Sequence, residues 1–277
     1  MKNILITGGA GFIGSHICLT LLEANYNIYI VDNFLNSSKK VFESIKKIIK
    51  RKSNFDIDRL NIFDGDIRDE DFLNRVFEEA SKNGKSIDGV IHCAGLKAVR
   101  ESIDDPLSYW DTNVYGSINL LKVMNKNQCR TILFSSSATV YGKSSQIPFE
   151  EYSSLNPINP YGETKFTVER ILENLFESLI SNWKVGCLRY FNPIGAHHSG
   201  LIGETPSCNP QNIFPLICKV AAGLKDKLYI YGNDWPTKDG TCHRDYIHII
   251  DLSVAHKKAI DYLFESTSSK LIPVSYT

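Results

Sequence analysis

"ITGGAGFIGSH", residues 6–16, decides the fold. Gly8, Gly11 and Gly14 form G-x-x-G-x-x-G, and Gly9, Gly11 and Gly14 also satisfy G-x-G-x-x-G. The stretch follows a β-branched run, "NILIT" (3–7), and opens a helical pattern. Glycines there allow a tight turn and let the backbone approach a pyrophosphate. Gly14 lets the helix pack closely, and the helix N-terminus presents N–H groups to an anion. The second β-branched run, "NIYIVD" (27–32), ends in Asp32, 18 residues past Gly14. A carboxylate there accepts from both ribose hydroxyls of a dinucleotide and repels a 2′-phosphate. With Asn33-Phe34 following and no basic residue, the reading is NAD rather than NADP.

Working outward, "LNIFDGD" (60–66), "DGVIHCAG" (88–95), "RTILFSSS" (130–137) and "KVGCLRYFN" (184–192) read as buried strands. The stretches between them have helical spacing, as in Val168, Ile171, Leu172, Leu175, Phe176 and Leu179. Strand and helix in alternation predict an α/β fold, a doubly wound parallel sheet with helices on both faces. From about residue 192, Gly, Pro, Asn and His crowd the chain and the alternation stops. The expected division is a dinucleotide-binding domain over 1–191 and a smaller, incomplete substrate-binding part over 192–277.

Lys+Arg and Asp+Glu are equal at 31 each in 277 residues, so no general affinity for nucleic acid follows. The basic run from Lys39 to Lys52 has Val41, Ile45, Ile48 and Ile49 at helical spacing and reads as a surface helix with a solvated face. The 7 cysteines (Cys18, Cys93, Cys129, Cys187, Cys208, Cys218, Cys242) are scattered without a C-x-x-C pair, which fits a reducing compartment. No apolar run approaches the ~20 residues of a membrane helix and no signal peptide is evident, so the expected location is cytoplasmic, away from membranes.

"LFSSSATVYG" (133–142) puts three serines at the ligand edge of such a sheet. "NPYGETK" (159–165) follows, with Asn159 as N-cap and Pro160 in the first turn. Tyr161 and Lys165, four apart, share a helix face. Tyrosine, with an ordinary pKa near ~10, is a poor base at neutral pH. A neighbouring ammonium and a positive nicotinamide ring are expected to lower that value. Together with a serine hydroxyl, this suits proton abstraction from an alcohol beside a hydride acceptor. Asp66 reads equally as an adenine contact or a helix cap. His197 and His198 read as loop histidines, with no third ligand spaced for zinc. Asp245, His248 and Asp251 read as a helix start with Asp251 as N-cap rather than as a triad.

These motifs together resemble the extended short-chain dehydrogenase/reductase superfamily. The finer text resembles its UDP-glucose 4-epimerase family: "GGAGFIGSH", "AGLKAVRES", "FSSSATVYG", "NPYGETK", "LRYFNPIGAH" and "DGTCHRDYIHIIDL". The resemblance implies Tyr161 as base, Lys165 on the nicotinamide ribose and Ser137 on the sugar hydroxyl. It implies Gly8, Gly11, Phe12, Ile13, Gly14, Asp32 and Asn33 around the adenosine half of NAD, with Asp66, Ile67, Ala94, Lys97 and Asn113 completing that pocket. Tyr190 would lie near the nicotinamide. Asn192, Asn212, Tyr229, Tyr231 and Arg244 would hold a UDP-hexose, and helices in the 100–125 and 160–180 regions a homodimer.

The implied reaction inverts C4 through a transient 4-keto sugar. Ala138-Thr139-Val140 lacks the carboxylate a related dehydratase carries. Cys93 stands where the family has a bulkier aromatic, and Cys242 and His243 where it has smaller or apolar residues. After the helix (Leu252 to Phe264), the chain reads "ESTSSKLIPVSYT", without the expected Asn-Leu-Gly-type loop or the later Arg, Asp and Tyr. The alternative expectation is therefore an impaired, NAD-binding remnant or regulatory module.

Overall fold

In the computed structural model, residues 1–51, 57–143, 147–178, 182–205, 212–267 and 270–276 are described. The first half alternates strand and helix: β1 (Asn3–Thr7), α1 (Phe12–Glu23), β2 (Asn27–Asp32), α2 (Lys40–Lys50), β3 (Leu60–Asp64), α3 (Glu70–Lys82) and β4 (Gly89–His92). Next come α4 (Val99–Asp104) and α5 (Pro106–Tyr109), which runs through a wider π-type turn (Trp110–Tyr115) into α6 (Gly116–Lys126). Then follow β5 (Thr131–Ser135), α7 (Pro160–Glu177), β6 (Lys184–Tyr190), β7 (Asn192–Ile194), α8 (Ile213–Ala221), β8 (Tyr246–His248), α9 (Ile249–Glu265) and β9 (Lys270–Tyr276).

Seven strands form one parallel sheet in the order β3-β2-β1-β4-β5-β6-β9, as the alternation predicts. Successive strand residues point to opposite faces. Ile4, Ile6, Ile28 and Ile30 join the core under α1, α2 and α9, while Leu5, Tyr29 and Val31 join the core under α3, α6 and α7. The chain order turns back between β1 and β4, and a crevice opens there beyond the strand ends.

One reading is corrected. The run at 60–66 is an edge strand, alternately exposed, not a fully buried one, because β3 has a neighbour on one side only. "KLIPVSY" (270–276), to which the sequence reading assigned no element, is the opposite edge strand, paired with β6 from Lys184↔Lys270 to Tyr190↔Tyr276. An edge is where a proline such as Pro273 is tolerated. α9 packs on α1, with Thr20 Oγ1 donating to Ser253 Oγ at 3.0 Å, and β9 belongs to the seven-stranded sheet. Among the described residues, those between 192 and 248 are loop-rich and include the short parallel pair β7–β8.

The basic helix is amphipathic as read, although Phe42 is buried with Ile45, Ile48 and Ile49 while Val41 is half-buried. Lys52, Leu179 and Cys208 lie outside the described residues. Among the described residues no helix is long and apolar enough to cross a membrane.

A Cβ on Gly14 would lie 2.3 Å from the Gly8 carbonyl oxygen and 2.8 Å from Gly9 Cα; one on Gly11 would meet only the Gly8 oxygen, at 3.3 Å. Gly14→Ala is therefore expected to cost about 1–3 kcal/mol as overpacking, and Gly11→Ala clearly less. Chemical denaturation of both variants checks this, and equal losses would contradict it.

Candidate active site

The glycine turn is built by backbone contacts. Gly8 has φ +69° and donates to the Val31 carbonyl at 2.8 Å, and a side chain there would strike Ala94 N at 2.7 Å. α1 begins at Gly11 without a side-chain cap and without an acidic residue in its first turn. Its first N–H groups thus face no carboxylate of their own helix. Phe12 and Ile13 stand in that turn and pack on the core beneath it.

Asp32 is buried and already engaged. Oδ2 accepts from Ala10 N at 2.9 Å, and Oδ1 accepts from Phe34 N and Ser37 Oγ, both at 2.9 Å. It thereby fastens the glycine turn to the loop after β2. Asn33 Nδ2 donates to Asp66 Oδ2 at 2.8 Å. Asp66 also accepts from the Arg68 guanidinium at 2.8 and 3.0 Å and from Arg68 N at 2.9 Å. Burial pushes its carboxyl up, but the Arg68 and Asn33 hydrogen bonds and the Arg68 charge outweigh that and hold it at about 2. The helix-cap reading of Asp66 fails: Asp69 caps α3 by accepting from Phe72 N at 2.8 Å. Ile67 is buried under α3 and α6, with Gly116 leaving it room.

Asn113, buried in the π-type turn, clamps the loop after β4. Its Oδ1 accepts from Leu96 N at 2.8 Å, and its Nδ2 donates to Leu96 O at 3.1 Å and to Thr164 Oγ1 at 3.0 Å. Lys97 lies 3.5 Å from the Glu204 carboxylate.

Ser137 ends the β5 segment. Its Oγ accepts from Thr139 N at 3.2 Å and from Thr139 Oγ1 at 3.0 Å. Asn159 caps α7 as read, accepting from Gly162 N at 2.8 Å. Lys165 is buried: Nζ donates to the Ser135 carbonyl at 2.9 Å, and lies 4.8 Å from the Phe134 ring centre and 5.9 Å from that of Tyr161. Burial pulls the ammonium down to about 8, although the acidic groups of Cys93 and Glu169 raise it. In the protein's own surroundings burial holds the Tyr161 hydroxyl above the ordinary 10, and a hydrogen bond with Ser137 partly offsets that.

Tyr190, at the end of β6, is buried against His256, with ring centres 6.1 Å apart. His256 Nδ1 donates to the Leu252 carbonyl at 2.8 Å, so its Nε2 accepts from Ser135 Oγ at 3.2 Å. Cys93 Sγ lies 3.1 Å from the same hydroxyl, and burial pushes its thiol up to about 11.

The substrate-side residues make contacts of their own. Asn192 Nδ2 donates to the Asp245 carbonyl at 2.9 Å in the β7–β8 pair, and Asn212 precedes α8. Tyr229 and Tyr231 stack on each other with ring centres 6.4 Å apart, and both are exposed. Arg244 Nη1 donates to the His243 carbonyl at 2.8 Å. Among the described residues, the side chains of Asn212, Tyr229, Tyr231 and Arg244 have no hydrogen bond or ring contact with Ser137, Tyr161 or Lys165. His248, not Asp251, caps α9, accepting from Ile250 N at 3.3 Å. The His197 and His198 rings lie together, with centres 4.0 Å apart. Among the described residues no group of three His, Cys, Asp or Glu is arranged to hold a metal.

Sequence reading missed Glu169 and Arg189, and gave Ser135 and Ser136 no separate role. Glu169 Oε2 lies 2.6 Å from Arg189 Nη2, and Ser136 Oγ donates to Glu169 Oε1. The signal was present: Glu169 is four residues past Lys165 on the same helix face.

The family model described as GDP-mannose 4,6 dehydratase matches residues 5–272. The chain is 45% identical over 259 residues to UDP-glucose 4-epimerase 2 of Arabidopsis thaliana, covering 94% of this chain and 71% of that protein. It is 46% identical over 275 residues to the bifunctional protein GAL10 of Pachysolen tannophilus, covering 98% of this chain but only 38% of the relative. The crystal structure of UDP-glucose 4-epimerase from Bifidobacterium longum in complex with NAD+ and UDP superposes with a TM-score of 0.90 at 41% identity, covering 99% of this chain and 78% of that one. With the glycine turn, the strand-end serines and the Tyr161–Lys165 pair placed in this architecture, the chain belongs to the UDP-glucose 4-epimerase family.

Proposed function

We propose that the chain is an isomerase that inverts C4 of a UDP-hexose, interconverting UDP-glucose and UDP-galactose with NAD. The observation that carries this is the convergence of Ser137, Tyr161 and Lys165 beside the glycine turn. The residues present fit NAD. Gly8 and Gly14 leave no room for side chains, the first turn of α1 is free of acids, and Asp32 supplies negative charge at the end of β2. Gly8, Gly11, Phe12, Ile13, Gly14, Asp32 and Asn33 would hold the adenosine half. Asp66, Ile67, Ala94, Lys97 and Asn113 would wall the pocket, Asn113 by fixing the loop after β4 rather than by direct contact. NAD, when bound, takes and returns the C4 hydride and adds positive charge that lowers the Tyr161 value.

The chain's own groups handle the proton and the orientation. Tyr161 takes the C4 hydroxyl proton and later gives it back, while Ser137 hydrogen-bonds the sugar oxygen. Lys165, anchored on the Ser135 carbonyl, holds the ribose and keeps its charge beside Tyr161. Tyr190 lines the nicotinamide side. Arg244 suits the substrate pyrophosphate, and Asn192, Asn212, Tyr229 and Tyr231 the rest of the UDP-sugar. Inversion requires the 4-keto sugar to turn in the site, so that hydride from bound NAD would return to its other face. The rival reading, a cofactor-binding remnant, has against it the intact Ser137, Tyr161 and Lys165.

A homodimer and a cytoplasmic location belong to the same proposal. Val99, Ile103, Leu107 and Trp110 leave an apolar face exposed along α4 and α5, next to α7. The six described cysteines are free.

Conversion of UDP-galactose to UDP-glucose by the purified chain tests the reaction, and a panel with N-acetylated and acidic UDP-sugars sets the preference. Tyr161→Phe is expected to lower kcat by about 100- to 10,000-fold while bound NAD persists. Full activity in that variant would remove Tyr161 from the mechanism.

Lys165 gives a pH signature. Its folded value of about 8 lies below the ordinary 10.5, so between the two the unfolded chain binds more protons. Lys165 therefore disfavours folding below pH 8, and stability gained from its deprotonation rises from pH 8 to 10.5. Melting of the parent and Lys165→Met across that window should show the parent gaining on the variant; parallel curves would contradict it.

Leu107, 79% exposed, is central to the apolar face, so Leu107→Glu is expected to convert dimer to monomer in sedimentation. A parent chain that sediments as monomer would rule out the dimer.

A further inference from the structure

We propose that the buried Glu169–Arg189 pair, acting through Ser136, is a positioning unit that holds Ser137 against Tyr161. The proposal rests on the catalytic reading of Ser137 and Tyr161.

The pair lies behind the site and touches neither proposed substrate nor cofactor position. Its two side chains are only 6% and 7% exposed. The carboxylate of Glu169 accepts from Arg189 Nε at 3.1 Å and from Arg189 Nη2 at 2.6 Å, a side-on fork. Its Oε1 also accepts from Ser136 Oγ. The remaining Arg189 nitrogen donates to Tyr141 Oη at 3.2 Å and to the Glu151 carbonyl at 3.0 Å. Tyr141 Oη pairs with Ser275 Oγ, which brings β9 into the same network.

This one carboxylate joins three elements, each with a site residue at a neighbouring position. Ser136 lies between Ser135, whose carbonyl anchors Lys165, and Ser137. Glu169 lies one helical turn past Lys165 and two past Tyr161 on α7. Arg189 immediately precedes Tyr190 on β6. Val168 and Leu172 pack α7 on the sheet, and the directional bonds of Glu169 add to that packing a fixed distance to the strand end. A buried ion pair is weak evidence for stability, since an apolar pair of similar size often serves as well. What an apolar pair cannot do is hold the Ser136 hydroxyl, and with it the strand end.

The groups that act on Tyr161 are Lys165 on its own helix, Ser137 just after β5, Tyr190 from β6 and Tyr109 from α5. Of these, Ser137 lowers the Tyr161 value through its hydrogen bond. A strand end freed at Ser136 weakens that bond, so Tyr161 titrates at higher pH.

Two variants test this. Ser136→Ala removes one buried hydroxyl and leaves the ion pair. The double variant Glu169→Met with Arg189→Met removes the charges without leaving one unpaired. Tyrosinate absorbance is followed through alkaline titration in each background, with and without Tyr161→Phe, so that the difference reports Tyr161 alone. Both variants are expected to shift it by about one unit to higher pH. With UDP-galactose they are expected to lose about 10-fold in kcat with KM unchanged. A merely structural pair would lower the melting point and leave the titration where it was. An unmoved titration in folded Ser136→Ala overturns the proposal, whatever the parent does with sugars. A parent that turns over no nucleotide sugar refutes the catalytic reading instead, and the titration still decides the positioning.

Discussion

One hydrogen bond organises this molecule's working end: the Lys165 ammonium donating to the Ser135 carbonyl at 2.9 Å. Lys165 is 6% exposed, and a buried ammonium is costly unless it is bonded. The last residue of a parallel strand can supply the acceptor, because the ladder stops there and its carbonyl points past the sheet edge. β5 ends at Ser135, and α7 crosses above it so that Lys165 reaches that oxygen. The lowered ammonium value shows that the arrangement does not fully compensate burial. A group kept charged at such cost is suited to an active site.

The same edge explains why so many polar side chains sit inside. Thr7 and His92 bond each other at 2.7 Å, His92 reaches Ser117 at 2.8 Å, and Ser135 reaches His256 at 3.2 Å. Burial keeps His92 and His256 neutral, at about 3 and about 4, so neither contributes a charge near Lys165 at ordinary pH. Each is an oriented dipole linking a strand end to a helix. Buried polar groups fully bonded in this way specify one arrangement where apolar packing would accept several. α9, although late in the chain, belongs to this layer because His256 closes the set.

The fold was legible because its signal is local and repeated. β-branched runs, helical spacing and the glycine turn agree with one another from residue 3 to residue 190. What was missed was non-local. The strand "KLIPVSY" has the right residues, but Pro273 argues against a strand until its edge position is known. Tyr161 and Lys165 were legible as a pair because four residues is one helical turn. The direction of the Tyr161 shift was not, since the hydroxyl answers to burial, which no spacing reveals. Glu169 was overlooked for a related reason: a glutamate in a helix is usually solvated, and its partner Arg189 comes 20 residues later on another element.

Asp32 shows how a correct reading of a residue changes its content once the contacts are known. The sequence argument treats it as an acceptor for two ribose hydroxyls. In the fold, its two oxygens already accept from Ala10 N, Phe34 N and Ser37 Oγ, three of about four acceptor positions. Its first task is to fasten the glycine turn to the loop after β2, with φ +56° at Phe34 turning that loop. What stays available is a single lone pair and an undiminished negative charge. Hydrogen bonding therefore contributes less to the choice between the two dinucleotides than charge does. A 2′-phosphate would bring further negative charge to a buried carboxylate with no cation among its hydrogen-bond partners, and that repulsion is not screened as it would be in water.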